Sequence, residues 1–194
     1  MEEDDLMRCF ICIDLPKEIS DEVVRVQTEL QKKKIFTGKL VESENFHLSL
    51  KFLGEIEPEK VEKVKLKLKG IKFDKIGAAL GESGVFNSNF IKIVWIHVLG
   101  KQIIELQKKI DEELKDLFSL DLHSELLSSQ HHEFVSHLTI ARVKKVKDRK
   151  IFLEELKKIN IKNLTFEIDK FYLMESELTT HGPIYTILEE YPLK

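Results

Sequence analysis

A chain of 194 residues is long enough to bury one sizeable core and short for several domains. Its 31 Lys and Arg against 34 Asp and Glu give a formal charge of −3 and no basic tail, which argues against wrapping a long duplex by charge alone and leaves room for a local pocket that takes one phosphate. The acidic opening MEEDDLMR is not the basic-then-apolar order of a secretory signal, no segment is long enough to span a membrane, and a cytoplasmic protein is expected.

RCFICIDL (8 to 15) predicts a strand whose alternation sends Cys9 and Cys12 to opposite faces. With no further ligands beside them, the two thiols are expected to be core packing, not a redox pair or a zinc site. Pro16 opens a helix in which Ile19, Val23, Val26 and Leu30 recur at helical spacing. A connection through Gly38 leads to FHLSLKFL, a strand that places Phe46, Leu48, Leu50 and Phe52 on a core face and His47, Ser49 and Lys51 on the other. EPEKVEKVKLKLK, with Val61, Val64 and Leu68, predicts the next helix, residues 71 to 80 a strand, and GESGVFNSN a turn-rich stretch.

The order then restarts. FIKIVWIHV (90 to 98) predicts a strand, and KQIIELQKKIDEELKDLF a helix with Ile103, Leu106, Ile110, Leu114 and Leu117 along one side. After a polar stretch come a strand in FVSHLTIARV, a short helix in DRKIFLEELKKI, one long strand in NLTFEIDKFYLMES and a closing strand in PIYTILEEY. Each half therefore runs strand, helix, strand, helix, strand, and the central strand of each carries histidine, leucine, a hydroxyl residue and an aliphatic: His47-Leu48-Ser49-Leu50 and His137-Leu138-Thr139-Ile140. The expected fold is α+β and bilobal, two pseudo-symmetric sheet-and-helix lobes with the marked strands facing each other across a central groove.

A histidine and a hydroxyl two positions apart on a strand share a face, roughly 7 Å apart at the backbone. Two such pairs opposed across a groove supply a base, an acid and two hydrogen-bonding hydroxyls around one centre, which is what in-line displacement at phosphorus needs. Histidine suits either proton role, and no metal is called for. A single such motif is most simply a polar group on a solvated sheet face; its recurrence at equivalent places in both halves is what points to a site.

The pieces RCFICIDLP, NFHLSLKFLGE, IVWIHV, FVSHLTIARVK and LMESELTTHGPIYTIL, in that order over nearly the whole chain, resemble the two-histidine phosphoesterase superfamily, in particular its RNA 2',3'-cyclic phosphodiesterase (2'-5' RNA ligase-like) group. The resemblance implies that His47 protonates the leaving ribose oxygen, that His137 activates water, that Ser49 and Thr139 hold phosphate oxygens, and that Arg142 binds phosphate. Strict alternation puts Arg142 on the wrong face, so a bend or twist beyond Ala141 is required. Ser49 stands where threonine is more usual and Ser136 where proline is frequent. Met7 aligns with the usual family start, making residues 1 to 6 a loose leader ahead of one bilobal catalytic domain over 7 to 194.

Other residues have more ordinary readings. Lys51 shares the face of His47 and is a candidate substrate contact or a solvated strand end; His181, in a turn near the groove, has a weaker claim to substrate. Phe46, Phe52 and Phe134 are expected in the core. His97 and His123 carry no chemical argument, and His131-His132-Glu133 lacks metal-ligand spacing. GAALGESG is not a dinucleotide fingerprint, and no G-K-[ST] follows a glycine-rich loop, so neither ATP nor any cofactor is expected.

The function expected is metal-independent opening of RNA 2',3'-cyclic phosphate ends to 2'-phosphates by a monomer. Reversible 2'-5' joining of RNA ends and noncatalytic RNA-end binding are the alternatives. Because the motifs address one terminal phosphate, binding is expected to depend only modestly on salt.

Overall fold

The computed structural model describes residues 6–118, 134–180 and 182–194. In chain order these form β1 (Met7–Asp14), α1 (Lys17–Lys32), β2 (Phe36–Leu40), a 3-10 turn (Ser43–Asn45), β3 (His47–Ile56), α2 (Pro58–Lys69), β4 (Ile76–Val85) and β5 (Ile93–Leu99). There follow α3 (Lys101–Phe118), β6 (His137–Val146), α4 (Arg149–Lys157), β7 (Thr165–Ile168), β8 (Lys170–Leu178) and β9 (Pro183–Pro192). No helix among the described residues is long and apolar enough to cross a membrane.

The helices form where the sequence gives one apolar stripe and a defined start. α1 buries Ile19, Val23, Val26 and Leu30, and α3 buries Ile103, Leu106, Ile110 and Leu114; each such side chain contributes about 1.5–3 kcal/mol of burial. Pro58 opens α2, where its missing N–H costs nothing. Asp148 caps α4 by accepting from the Ile151 amide at 2.9 Å.

The strands run β7-β4-β5-β6-β3-β1-β8-β9, with β2 added beside β6. All recorded pairings are antiparallel, and β3 meets β6 at one cross-strand pair, Leu48 with Leu138. That thin seam divides the molecule into a first lobe of β3, β1, β8 and β9 and a second of β7, β4, β5, β6 and β2. The lobes are not the two halves of the chain: β1 pairs with β8, and β4 with β7. The helices cross over likewise, with α1 packing on β6 and α3 on β3.

Three elements differ from the sequence expectation. The connection through Gly38 is a strand, β2, hidden because a glycine interrupts its pattern. A Cβ at Gly38 would lie 2.1 Å from the Arg142 carbonyl oxygen, so only glycine lets β2 approach β6. The strand expected over 71 to 80 runs from Ile76 to Val85 instead. The expected single strand over 163 to 176 breaks at Asp169: β7 pairs with β4 of the second lobe and β8 with β1 of the first, so the chain changes lobes there.

Candidate active site

The Leu48–Leu138 pair organises the groove. Both leucines are fully buried, so the residues flanking them on β3 and β6 face the other way. Antiparallel direction then sets His47 beside Thr139 and Ser49 beside His137, with the two histidines on a diagonal about a local twofold. Neighbours across the seam are about 5 Å apart and those along each strand roughly 7 Å, which leaves room for one phosphate among the four side chains.

Each histidine is held in the same way. His47 Nδ1 donates to the Asn45 carbonyl at 2.9 Å and His137 Nδ1 to the Val135 carbonyl at 2.6 Å, both two residues upstream. Since a carbonyl only accepts, Nδ1 carries the proton in both rings and Nε2 is the nitrogen free for proton transfer. Aromatic rings wall both imidazoles: Phe10 and Tyr185 lie 4.9 and 5.2 Å from His47, and Phe86 and Trp95 lie 4.8 and 6.4 Å from His137.

Burial lowers the pKa of His47, the Asn45 hydrogen bond opposes this, the positive charges of His137 and Arg142 lower it further, and Asp14 raises it. Burial also lowers that of His137; the Val135 hydrogen bond raises it and His97 lowers it. The two outer partners hold matching places, since Asp14 is the cross-strand partner of His47 and His97 that of His137.

Beyond the hydroxyls, alternation fails in both strands at once. The register between β5 and β6 steps between Val94 and Trp95, leaving Ile140 as an inserted residue. Ile140 and Ala141 are both fully buried, and Arg142 returns to the groove face with Thr139. The irregularity that turns Arg142 to the groove thus lies at Ile140, ahead of Ala141 and not beyond it as expected, and the positive charge of Arg142 is felt by both His47 and Tyr185.

The equivalent step between Ile11 and Cys12 makes Leu50 the inserted residue in β3. Lys51 is thereby paired with core residue Ile11 and directed to α3, where Nζ meets Asp111 Oδ1 at 2.5 Å. It is not brought to the groove. Phe52, expected in the core, is instead 73 % exposed on the groove side, 6.2 Å from Phe10, while Leu53 takes the buried position.

The structure thus brings His47, Ser49, His137, Thr139 and Arg142 together. Cys9 lies in the main core and Cys12 in a small groove-side cluster with Phe10 and Tyr172, on opposite faces as alternation requires. His123, the His131-His132-Glu133 run and His181 lie outside the described residues. Sequence reasoning missed Asp14, His97, Tyr185, Phe86 and Phe52. For Phe52 there was a signal: it stands five residues after His47, as Arg142 does after His137.

Residues 13–95 and 99–185 match the LigT like Phosphoesterase family. The chain belongs to that family. It is 36% identical to the RNA 2',3'-cyclic phosphodiesterase of Methanocaldococcus jannaschii, over 95% of this chain and all of that one. It is 30% identical to the protein of the same name from Methanothermobacter thermautotrophicus, over 96% of this chain and 99% of that one. A crystal structure from Thermus thermophilus shares the fold, with a TM-score of 0.78 and 24% identity, covering 96% of this chain and 97% of that one. Among LigT-like phosphoesterases, then, this chain has both histidine motifs on the two strands that meet at the seam.

Proposed function

We propose that this protein opens the 2',3'-cyclic phosphate at RNA ends by hydrolysis, leaving a 2'-phosphate. The observation that carries the reading is the pair of imidazoles, each tied through Nδ1 to a carbonyl two residues upstream, set diagonally about the Leu48–Leu138 pair. The relatives named RNA 2',3'-cyclic phosphodiesterase support the substrate class.

In this reading the cyclic phosphate sits between the histidines, its nonbridging oxygens on the Ser49 and Thr139 hydroxyls and the Arg142 guanidinium. Water enters from the His137 side and loses a proton to Nε2 as its oxygen bonds to phosphorus. The bond from phosphorus to the ribose 3'-oxygen breaks in line, and protonated His47 delivers its Nε2 proton to that oxygen. The cycle ends with His137 protonated and His47 neutral, and exchange with solvent resets both. Phe52, exposed at the groove wall, offers a face on which the terminal base stacks. All these groups come from one chain, which supports action as a monomer.

The test is a short RNA with a 2',3'-cyclic phosphate, incubated with purified protein in chelator. Ring opening to the 2'-phosphate is expected. A folded protein that binds this end without opening it would replace the reading with a binding module, and joining to a 5'-hydroxyl strand in excess of hydrolysis would replace it with a 2'-5' ligase.

A further inference from the structure

The paired motifs address a single phosphate, yet a strip of cations and exposed aromatic rings leads away from them along the second lobe. β6 leaves the groove as Arg142-Val143-Lys144-Lys145-Val146-Lys147 and runs into Asp148-Arg149-Lys150, six basic residues against one acid in a chain whose formal charge is −3. The acid is engaged, since Asp148 caps α4. Among the described residues, no ion pair joins Lys92, Lys144, Lys147 or Arg149 to a carboxylate.

The segment between β4 and β5 lies against the same end of β6. The Lys92 carbonyl accepts from the Val143 amide at 2.7 Å, and the Asn89 carbonyl accepts from Arg149 Nη1 at 3.0 Å. Asn87 Oδ1 accepts from the amides of Asn89 and Phe90 at 2.8 and 3.1 Å, so the turn is internally braced. It presents two large rings to solvent: Phe86 is 52 % exposed and Phe90 64 %. Phe86 stands edge-on to His137 at 4.8 Å, so the strip begins at the site itself, and Lys92 Nζ lies 4.6 Å from the centre of the Phe90 ring.

Exposed rings interleaved with cations that no carboxylate neutralises, Lys92 lying over one face of Phe90 and leaving the other to solvent, suit a ligand that alternates flat bases with anionic phosphates. Single-stranded nucleic acid has that alternation, whereas a duplex hides its base faces. An apolar protein surface would not be favoured by the lysines. We propose that Phe90, Lys92, Lys144 and Arg149 bind the single-stranded RNA that precedes the reacting end, stacking a base on Phe90 and pairing the cations with successive phosphates. This rests on the hydrolytic reading and adds that the substrate is an RNA several nucleotides long, not a lone terminal nucleotide. Its salt dependence therefore grows with RNA length, unlike the modest dependence expected from the motifs alone.

The experiment compares the full-length protein on a nucleoside 2',3'-cyclic monophosphate and on a single-stranded RNA of about six nucleotides with the same end. Expected are a KM at least about tenfold lower for the RNA and a log–log salt slope near −2, about 0.7 for each of three phosphates. Phe90→Ala should raise the KM for the RNA by about 5- to 150-fold, the scale of one lost stacked base, the double change Lys92→Glu/Lys144→Glu should raise it by at least about fivefold and flatten its salt dependence, and both should leave kcat/KM on the monophosphate within about twofold. Equal KM values for the two substrates in the wild type, or variants that slow both alike, would overturn the strip, as would a duplex of the same sequence binding as tightly. If the wild type turns over neither substrate, the hydrolytic reading fails, and anisotropy binding of 3'-hydroxyl single-stranded RNA to wild type and variants still decides the strip.

Discussion

Phe52 and Arg142 hold the same place in the two lobes: each stands five residues after its motif histidine, just beyond a one-residue bulge, and each is exposed on the groove side. One position offers an apolar ring and the other a cation, so a pseudo-symmetric frame presents an asymmetric site. The ring suits a base and the guanidinium a phosphate. Arg142→Ala should lower kcat/KM by about a hundredfold or more, because a charged partner of the transition state is lost. Phe52→Ala should act mainly on KM, by about 5- to 150-fold, the range for a stacked base. Steady-state kinetics on a nucleoside 2',3'-cyclic monophosphate separates the two, and a kcat loss for Phe52→Ala matching that of Arg142→Ala would remove the division of labour.

The bulge that aims Arg142 is itself supported. The Ile140 carbonyl accepts from Gln27 Nε2 at 2.8 Å and from the Val41 amide at 3.1 Å, and the same Gln27 nitrogen also reaches the Val41 carbonyl at 2.8 Å. Gln27 is buried on α1 among apolar residues, where an amide is costly unless satisfied. Gln27→Leu takes one of two donors from the Ile140 carbonyl and the side-chain donor from the part-buried Val41 carbonyl, and should destabilise the protein by about 1 kcal/mol, seen as a lower urea midpoint. Activity should fall as well, through Arg142. Full activity in the destabilised variant would show that the bulge holds without its amide.

His47→Ala and His137→Ala should each reduce single-turnover rates by at least about a hundredfold, while Ser49→Ala and Thr139→Ala, which remove one neutral donor each, should cost less. In the proposed reaction in-line geometry ties the roles together: if water is activated at His137, the oxygen expelled is the one His47 protonates. Chromatography against 2'- and 3'-phosphate standards reads the outcome. A predominantly 3'-phosphate product would reverse the docking of the ribose, even with both histidines essential.

Much of this site is legible in sequence because it is built by repetition: two H-x-[ST] strands announce themselves by recurring. What alternation alone conceals is the pair of bulges. An inserted residue changes no residue type, so Leu50 and Ile140 read as ordinary core positions, and every face assigned beyond them comes out reversed. That single parity error placed Lys51 in the groove and Phe52 in the core. Lobe membership was hidden for another reason: the connectivity of β8 with β1 and β4 with β7 is a long-range pairing on which local periodicity is silent. Asp14 was not singled out and His97 was set aside because their place beside the histidines lies across the ladder, not along the chain.

Those last two residues bear on the pH dependence expected of the proposed reaction, beside the larger effect of burial. His47 is faced by Asp14 from β1, by Arg142 and His137 from β6 and by Tyr185 from β9; His137 is faced by His97 from β5 and by the rings of Phe86 and Trp95. Both pKa values lie below the usual 6.5, chiefly through burial. A reaction that needs one histidine protonated and one neutral has a bell-shaped kcat/KM centred between the two, so the optimum should fall on the acid side of 6.5. Asp14→Asn removes a charge that raises His47 and should draw the alkaline limb down. His97→Asn removes a charge that lowers His137 and should move the acid limb up. The exchanged result, Asp14→Asn moving the acid limb down and His97→Asn the alkaline limb up, would undo the assignment of acid to His47 and base to His137. Stability carries the same sign: histidines depressed in the folded state leave the unfolded chain binding more protons, so stability is intact above 6.5 and is lost as pH falls through the folded values. The double variant His47→Gln/His137→Gln should therefore lose less stability than wild type between about pH 7 and pH 5 in urea titrations, and an equal loss would show that neither ring is held neutral by the fold.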